Sequence, residues 1–299
     1  MKHLQRLTLA LLLTLCAATQ IYAFDTINLW PSTPPGDKAE SYQDKGGSYY
    51  TPRMEYWRPA NQTSDACLII CCGGSYMGVA YEVEGIMPRD FFVEHGVTVV
   101  MLWYRTPRRP GIAKHYAAWQ DVQRAIRIVR AHADEWKINP DKIGVMGFSA
   151  GGHLTLMAAT SSSVQTYEPV DEIDKLPCNI NFAIPVYPAY ALTDGVDSPN
   201  TERGNDAQLV EDFKFDDKTP PMCFIHGDGD GYSPMASVMV YRQLRKMNIP
   251  AEMHIYAFAN HAFFNCGPEA PIRKYPQRVL EWMQTLGILE TPENAKVER

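Results

Sequence analysis

A serine between closely spaced glycines is the first feature of this sequence that can do chemistry. The pentapeptide Gly147–Gly151 has the pattern G-x-S-x-G, with Ser149 at its centre. It directly follows an apolar run, Ile143–Met146, and precedes a helical pattern, Gly152–Ala159. A strand, a sharp turn and a helix in this order form a nucleophile elbow, where only glycine leaves room beside the strained serine. The context therefore predicts a nucleophilic Ser149 rather than a purely structural glycine-rich turn.

A serine hydroxyl needs a base to take its proton and an acid to orient that base, and the sequence supplies both downstream. The predicted base, His261, follows an apolar run that ends at Phe258. Asp228 and Asp230 lie in a glycine-rich turn after another apolar run. Asp230 is predicted as the acid because it lies further past the strand end, whereas Asp228 is placed to bond local backbone. The order Ser149, Asp230, His261 is that of α/β-hydrolase triads. The remaining candidate bases are expected to pack within helices or strands: His153, His226 and His254.

Backbone N–H groups for an oxyanion hole are predicted at two places. One belongs to Ala150, at the start of the helix that follows the nucleophile. The other comes from the loop Cys71–Tyr76, where Gly73 and Gly74 let the backbone approach a substrate carbonyl. The sequence does not separate Gly74 from Ser75 as the donor, and two adjacent glycines also fit a simple turn between a strand and a helix.

Apolar runs and amphipathic segments alternate along the chain and must position these residues. The strand candidates are Ala66–Cys72, Val97–Tyr104, Lys142–Met146, Ile180–Tyr187, Met222–Ile225 and Met253–Phe258. The helix candidates are the segment around Ala118–Val129, Ala150–Ala159, Pro234–Met247 and Ile272–Leu286. This alternation predicts one α/β domain, residues 24–299, with a mostly parallel sheet covered on both faces. We expect a surface loop or short edge hairpin at Phe24–Asp65 and an insertion at 188–219.

The composition excludes several classes of protein. The 299 residues are 45% hydrophobic and 21% charged, which suits a sizeable globular core. Glycine (20), proline (22) and cysteine (7) occur at ordinary levels, so collagen-like, disordered and small disulfide-stapled proteins are excluded. A net charge of −6 argues against a nucleic-acid partner. The sequence has no C-x-x-C or H-E-x-x-H pattern, and neither a metal nor an organic cofactor is predicted.

The N-terminal segment Met1–Ala23 has the pattern of a secretory signal peptide. Two basic residues precede the apolar stretch Leu7–Cys16, and small residues follow it. Ile21 stands three residues before the cut, where a small residue is usual. The alternatives are an uncleaved anchor, although the stretch is shorter than the ~20 residues of a spanning helix, and a lipoprotein cut before Cys16. We expect export to the periplasm or the medium, with a net charge of −8 and no membrane contact once the segment is removed.

Several motifs together carry a family resemblance that extends from about Asn28 to Leu286. In chain order they are Cys71–Tyr76, Trp103–Arg105, Asp121, Trp136–Pro140, Lys142–His153, His226–Pro234 and His261–Phe263. With these pieces the chain resembles the bacterial α/β-hydrolases related to acetylxylan esterases and other carbohydrate esterases, a branch that includes xylanase-like and lipase-like proteins.

The resemblance implies a triad of Ser149, Asp230 and His261 in an exported serine esterase. It also implies removal of short acyl groups, above all acetyl, from plant cell-wall carbohydrate such as xylan. The chain has Cys72 and Ser75 where the family usually has proline and a third glycine. It also has alanine instead of glycine directly after the histidine. These departures leave the triad intact and bear on which N–H completes the oxyanion hole.

The sequence says less about the substrate. Five aromatic residues near strand ends are candidates to stack on sugar rings: Tyr76, Tyr187, Tyr190, Tyr232 and Phe263. Packing in the core is the more frequent role of such residues. Arg105, Arg108 and Arg109 are candidates to meet an acidic sugar, but a solvated loop or internal ion pairs are the more frequent role. Feruloyl, small lipid and aryl esters are alternative substrates. An inactive carbohydrate-binding relative is an alternative of another class, against which the strained elbow argues.

Overall fold

The computed structural model describes residues 24–45, 47–193 and 207–291. The predicted signal peptide, Met1–Ala23, lies outside these ranges, as do residues 194–206 of the predicted insertion. No helix in the described ranges is both long enough and apolar enough to cross a membrane. Six cysteines fall within the same ranges, and none of them forms a disulfide there.

In this described part of the chain, eight strands form one sheet in the spatial order β1-β2-β4-β3-β5-β6-β7-β8. They are β1 Phe24–Asn28, β2 Arg53–Trp57, β3 Cys67–Cys71, β4 Thr98–Trp103, β5 Ile143–Phe148, β6 Phe182–Val186, β7 Met222–Gly227 and β8 Ala251–Tyr256. Strands β3 to β8 run parallel, and β2 is antiparallel to both β1 and β4. The six predicted strands correspond to β3 through β8. The polar N-terminal segment supplies the edge pair β1 and β2.

Helices lie between most of the parallel strands, and one follows the last strand. They are α1 Ile86–Glu94, α2 Tyr116–Ala131, α3 Ala133–Trp136, α4 Ala150–Thr160, α5 Met235–Lys246 and α6 Tyr275–Thr285. The sequence patterns predict α2, α4, α5 and α6 but neither the short α3 nor α1, in which Pro88 interrupts the helical pattern. Pro88 is the third residue of α1, where backbone N–H groups have no acceptor within the helix, so a proline is tolerated there.

Helices cover the sheet on both faces. Along β3 the side chains of Cys67, Ile69 and Cys71 pack with α2, α4 and α5, while those of Leu68 and Ile70 pack on the face covered by α1 and α6. Burial on both faces explains why the parallel strands are continuous apolar runs rather than alternating ones. The carboxyl ends of β3, β5, β7 and β8 meet at one edge of the sheet, and the loops that leave this edge carry the predicted site.

The described part of the predicted insertion packs against the domain. Leu192 and Leu209 form an isolated antiparallel bridge. Ala191, Val210 and Phe213 are buried in the core on the α2 and α4 face. The described residues on both sides of 194–206 are thus part of the domain core.

Candidate active site

Ser149 occupies the sharp turn between β5 and α4 that the sequence predicts. Its backbone is in a left-handed conformation, with φ 53° and ψ −117°. Gly151 allows the first turn of α4 to approach the end of β3, because a Cβ atom there would lie 1.9 Å from the carbonyl oxygen of Cys71. A Cβ atom at Gly147 would lie 2.1 Å from the carbonyl oxygen of Gly151. The close approach of backbone to backbone thus requires both glycines of the motif.

The structure brings the three predicted triad residues together. Nε2 of His261 lies 2.8 Å from Oγ of Ser149, which is 112 positions earlier in the chain. Nδ1 of His261 lies 2.8 Å from Oδ2 and 3.0 Å from Oδ1 of Asp230. A carboxylate can only accept, so Nδ1 carries the proton and Nε2 is free to accept the serine proton. The arrangement has the connectivity of a Ser-His-Asp relay.

Asp230 is held by neighbours besides His261. Its Oδ1 accepts the backbone N–H of Tyr232 at 2.8 Å. His226 donates from Nε2 to the carbonyl oxygen of Tyr232 at 2.9 Å, accepts from the hydroxyl of Ser237, and lies 3.5 Å from Oδ2 of Asp230. Burial acts to raise the pKa of Asp230, but its contacts with His226 and His261 outweigh burial and lower that pKa below 3.8. Asp230 therefore stays ionised as the partner of the base.

Two tyrosine rings pack against His261. The ring centroid of Tyr187 is 5.0 Å from that of His261, and the centroid of Tyr232 is 4.8 Å away. The next residue, Ala262, has a left-handed backbone with φ 54°. This explains the glycine expected there from the family resemblance, since glycine adopts that conformation without a steric cost. The rings and the tight turn fix the orientation of the base.

The predicted oxyanion donors belong to two elements that meet near the nucleophile. Ala150 is the first residue of α4, where N–H groups have no acceptor within the helix. In the loop after β3, the N–H of Gly73 donates to Oε2 of Glu84 at 2.5 Å and is not available. Among the described residues, the N–H groups of Gly74 and Ser75 have no protein acceptor. Both predicted candidates therefore remain open as the second donor.

Side chains hold this loop in place. The hydroxyl of Tyr104 donates to the carbonyl oxygen of Cys72 at 2.6 Å. The hydroxyl of Tyr76 is 2.9 Å from Nδ1 of His153, and burial holds the pKa of His153 well below 6.5, so that His153 stays neutral. The sequence indicated neither these contacts nor Glu84, because they join residues far apart in the chain.

Four of the five aromatic residues predicted to stack on sugar rings are buried: Tyr76, Tyr187, Tyr190 and Phe263. Tyr76 is fully buried, and Tyr187 and Phe263 are each 2% exposed, so none presents a ring face to a ligand. Tyr76 and Tyr187 instead support the loop and the base, and Phe263 packs against Tyr187. Tyr232 is only partly buried, and its ring borders His261. It is the predicted substrate residue that is accessible from the site.

Two of the three arginines after β4 form internal ion pairs, the role that the sequence favoured for them. Nε of Arg105 lies 2.9 Å from Oδ1 of Asp121. Nη2 of Arg109 lies 2.8 Å from Oδ2 of Asp37. Arg108 is exposed. Arg105 and Arg109 therefore bind the protein's own carboxylates rather than facing the site.

Two other features lie away from the triad. Within the described residues, the donor atoms of Cys223, Glu252 and His254 lie within 4.8 Å of one another and have the chemistry of metal ligands. They belong to β7 and β8, and Nε2 of His254 already pairs with Glu252 at 2.8 Å. A cavity of about 790 Å³ is lined in part by Asp65 and Lys142, which precede β3 and β5, at the opposite end of the strands from the elbow.

A comparison with protein families identifies the family of this chain. The model of the BD-FAE family matches residues 54–244, more than half of the chain. The chain belongs to the BD-FAE family. The matched range contains Ser149 and Asp230 and ends before His261. The acetylxylan and carbohydrate esterase resemblance stated from the motifs is thus confirmed at the level of the family.

Individual relatives of this BD-FAE member are longer proteins. The acetylxylan esterase of Xylanibacter ruminicola is 28% identical over 225 residues, which are 71% of this chain and 43% of that protein. Endo-1,4-beta-xylanase B of Butyrivibrio fibrisolvens is 26% identical over 254 residues, 80% of this chain and 39% of that protein. The chain therefore spans about two fifths of the length of these curated relatives.

A solved structure shows the same fold. The acetyl ester-xyloside bifunctional hydrolase of Caldicellulosiruptor lactoaceticus superposes with a TM-score of 0.69 at 21% identity. The match covers 91% of this chain and all of that chain. Together with the sheet order and the helices on both faces, it confirms the predicted α/β-hydrolase fold.

Proposed function

We propose that this protein is a serine esterase that hydrolyses carboxylic esters through a covalent acyl-enzyme. The observation that carries the proposal is the unbroken relay from Ser149 through His261 to Asp230, in which both links are 2.8 Å. Ser149 lies on a strained elbow close to Gly73, and the N–H groups of the next two residues, Gly74 and Ser75, have no acceptor among the described residues. A serine activated in this way and facing such donors is suited to acyl transfer.

The proposed reaction has two stages. His261 takes the proton of Ser149 through Nε2, and the serine oxygen attacks the ester carbonyl. The N–H groups of Ala150 and of Gly74 or Ser75 stabilise the negative oxygen, and the imidazolium returns its proton to the leaving alcohol. Water then attacks the acyl-enzyme with His261 again acting as base. These steps need no metal and no organic cofactor.

The proposed substrate is a short acyl ester, above all an acetyl ester, on a carbohydrate such as xylan. The support comes from the names of the relatives, an acetylxylan esterase and a xylanase, and from a neighbour in fold named an acetyl ester-xyloside hydrolase. The partly exposed ring of Tyr232 beside the base is suited to contact a sugar. The signal-peptide pattern of Met1–Ala23 supports export to where such polymers occur.

The esterase proposal is tested with Ser149→Ala and with Ser163→Ala as a matched control, since Ser163 is exposed on the loop after α4. We expect wild-type protein to hydrolyse p-nitrophenyl acetate and to be labelled on Ser149 by a fluorophosphonate. Ser149→Ala should lose at least ~10⁴-fold in turnover and all labelling, while the control keeps both. A folded wild type that is not labelled, or a Ser149→Ala protein with unchanged turnover, would refute the proposal in favour of a binding module.

The substrate is tested by product release from natural polymers. We expect acetate release from acetylated xylan to exceed ferulate release from feruloylated arabinoxylan. We also expect p-nitrophenyl esters to be hydrolysed more slowly as the acyl chain lengthens. Faster ferulate release would replace acetyl by feruloyl as the acyl group, and a strong preference for long chains would exclude a carbohydrate acetyl ester.

A further inference from the structure

Glu84 is a buried carboxyl group beside the nucleophile that the triad does not use. It lies in the π-helical turn Tyr81–Gly85, directly before α1, and is only 6% exposed. Among the described residues it has no ion-pair partner. Burial raises the pKa of Glu84, while hydrogen bonds from Gly73 and Tyr187 and the charge of a protonated His261 act in the opposite direction. A buried carboxyl group without a cation is costly, so its two hydrogen bonds must hold it in a defined place.

Both hydrogen bonds of Glu84 lead to the proposed catalytic groups. Oε2 accepts the N–H of Gly73 at 2.5 Å, and Gly73 directly precedes the two candidate oxyanion donors. Oε1 accepts the hydroxyl of Tyr187 at 3.1 Å, and the ring of Tyr187 packs on His261. One carboxyl group thus joins the loop after β3 to Tyr187, the residue whose ring packs against the base.

The loop is closely packed at the Cβ position of Gly73. A Cβ atom built on Gly73 would lie 2.7 Å from Oε2 of Glu84 and 2.8 Å from Cβ of Ser149. The nucleophile and the carboxyl group thus both lie next to the Cβ position of Gly73. A movement of the carboxyl oxygen changes where the following N–H groups stand relative to Ser149. Oxyanion donors act only over a narrow range of distance, so such a change lowers the rate of the chemical step.

We propose that Glu84 is a positioning residue that sets the distance between the oxyanion donors and Ser149 by accepting the Gly73 N–H. This inference rests on the proposed esterase function. The proposed role requires an acceptor oxygen at the position that the Glu84 side chain reaches, and it does not require the negative charge of Glu84. Gln keeps an acceptor at that reach, and its amide N–H can donate to the oxygen of Tyr187. Asp keeps the carboxyl group but withdraws it by about 1.5 Å, one C–C bond.

Steady-state kinetics of Glu84→Gln and Glu84→Asp with p-nitrophenyl acetate test the role. We expect Glu84→Asp to lower kcat ~10- to 100-fold with KM within about twofold of wild type, because the lost interaction stabilises the transition state. Glu84→Gln should retain kcat within about threefold. An equal or greater loss in Glu84→Gln would assign the effect to charge and overturn the inference. Unchanged kcat in Glu84→Asp, or a rise in KM alone, would also overturn it.

Hydrogen exchange of the Gly73 amide, followed by NMR with ¹⁵N-glycine, gives a readout that does not depend on turnover. Glu84→Asp should lower the protection of this amide by about tenfold or more, and Glu84→Gln should preserve it, while protection of Gly144 in β5 reports on global stability in all variants. If wild type hydrolyses no ester but the variants show the expected exchange rates, the proposed function fails, while the hydrogen bond between Glu84 and the Gly73 N–H is supported. If wild type hydrolyses esters and Gly73 is equally protected in both variants, the role of Glu84 is refuted.

Discussion

At the scale of single residues, the choice of acid between Asp228 and Asp230 is open to a direct test. Asp230 is buried against Nδ1 of His261, whereas the side chain of Asp228 is exposed. Asp230→Asn substitutes an amide for the acceptor that keeps the proton on Nδ1, which favours the wrong tautomer of the base. We expect kcat on p-nitrophenyl acetate to fall ~10⁴-fold in this variant.

The matched control for this prediction is Asp228→Asn, which makes the same chemical change two residues earlier. Its kcat should stay within about twofold of wild type, as for other exposed substitutions. If Asp228→Asn loses as much activity as Asp230→Asn, the acid has been assigned to the wrong residue.

Functional residues within a sequence motif were predictable from the sequence. Residues whose contacts lie far apart in the chain were not. Ser149 lies in a local pattern, and the acid and base follow strands in a known chain order, so periodicity and order are sufficient to find them. Glu84 lies in a stretch with no distinctive motif, and its contacts reach 11 and 103 positions along the chain. Tyr187 was predicted in the wrong role, because a tyrosine at a strand end fits a ligand contact and core packing equally well.

At the scale of elements, the buried strands were predictable because burial on both faces leaves a continuous apolar run, and β3 to β8 all show one. Three kinds of element were harder to predict. Helix α1 carries Pro88 in its first turn, the edge strand β1 is largely exposed and polar, and the π-helical turn Tyr81–Gly85 has no sequence pattern. Each depends on its neighbours in the fold rather than on its own periodicity.

The contact of α4 with β3 at Gly151 makes a prediction about stability. In Gly151→Ala the new Cβ atom would lie 1.9 Å from the carbonyl oxygen of Cys71 and 2.7 Å from that of Cys72, so backbone must move. We expect the free energy of unfolding to fall by about 3 kcal/mol or more, measured by urea denaturation. Gly267→Ala is the control, since no atom lies within 4 Å of its Cβ position, and its effect should stay within about 1 kcal/mol. Equal stability of the two variants would contradict the close packing of the elbow.

At the scale of the whole molecule, a cluster of buried charges attaches the N-terminal segment to the rest of the domain. Arg105 pairs with Asp121 of α2, donates to the carbonyl oxygen of Pro35 and lies 3.4 Å from Asp37. Arg109 binds Asp37 through two nitrogens at 2.8 and 2.9 Å. The sequence predicted a polar segment over the domain surface, and its polarity concealed these buried contacts. The loop between β4 and α2, in which the N–H of Arg108 donates to the carbonyl oxygen of Tyr76, is thus tied to the N-terminal segment.

The pKa of Asp37 makes the stability of this attachment depend on pH. Burial acts to raise that pKa, but hydrogen bonds from Arg109 and Tyr42 and the charges of Arg105 and Arg109 hold it below 3.8. A carboxyl group with a lowered pKa in the folded state contributes stability above its unfolded pKa of about 3.9, and this contribution is lost as pH falls through the folded value. Asp37→Asn should therefore cost about 2–4 kcal/mol at pH 7, and the difference from wild type should shrink steadily below about pH 4.

Thermal unfolding of wild type and Asp37→Asn between pH 2.5 and 7 measures this difference, with Glu40→Gln as the control because Glu40 is an exposed acid on the same segment. Other carboxyl groups titrate in both proteins and cancel, so the pH dependence of the difference belongs to Asp37. The control should follow wild type at every pH, since an exposed carboxyl group contributes little. A constant gap between Asp37→Asn and wild type across the whole range would mean that packing, and not the ion pair, attaches the segment.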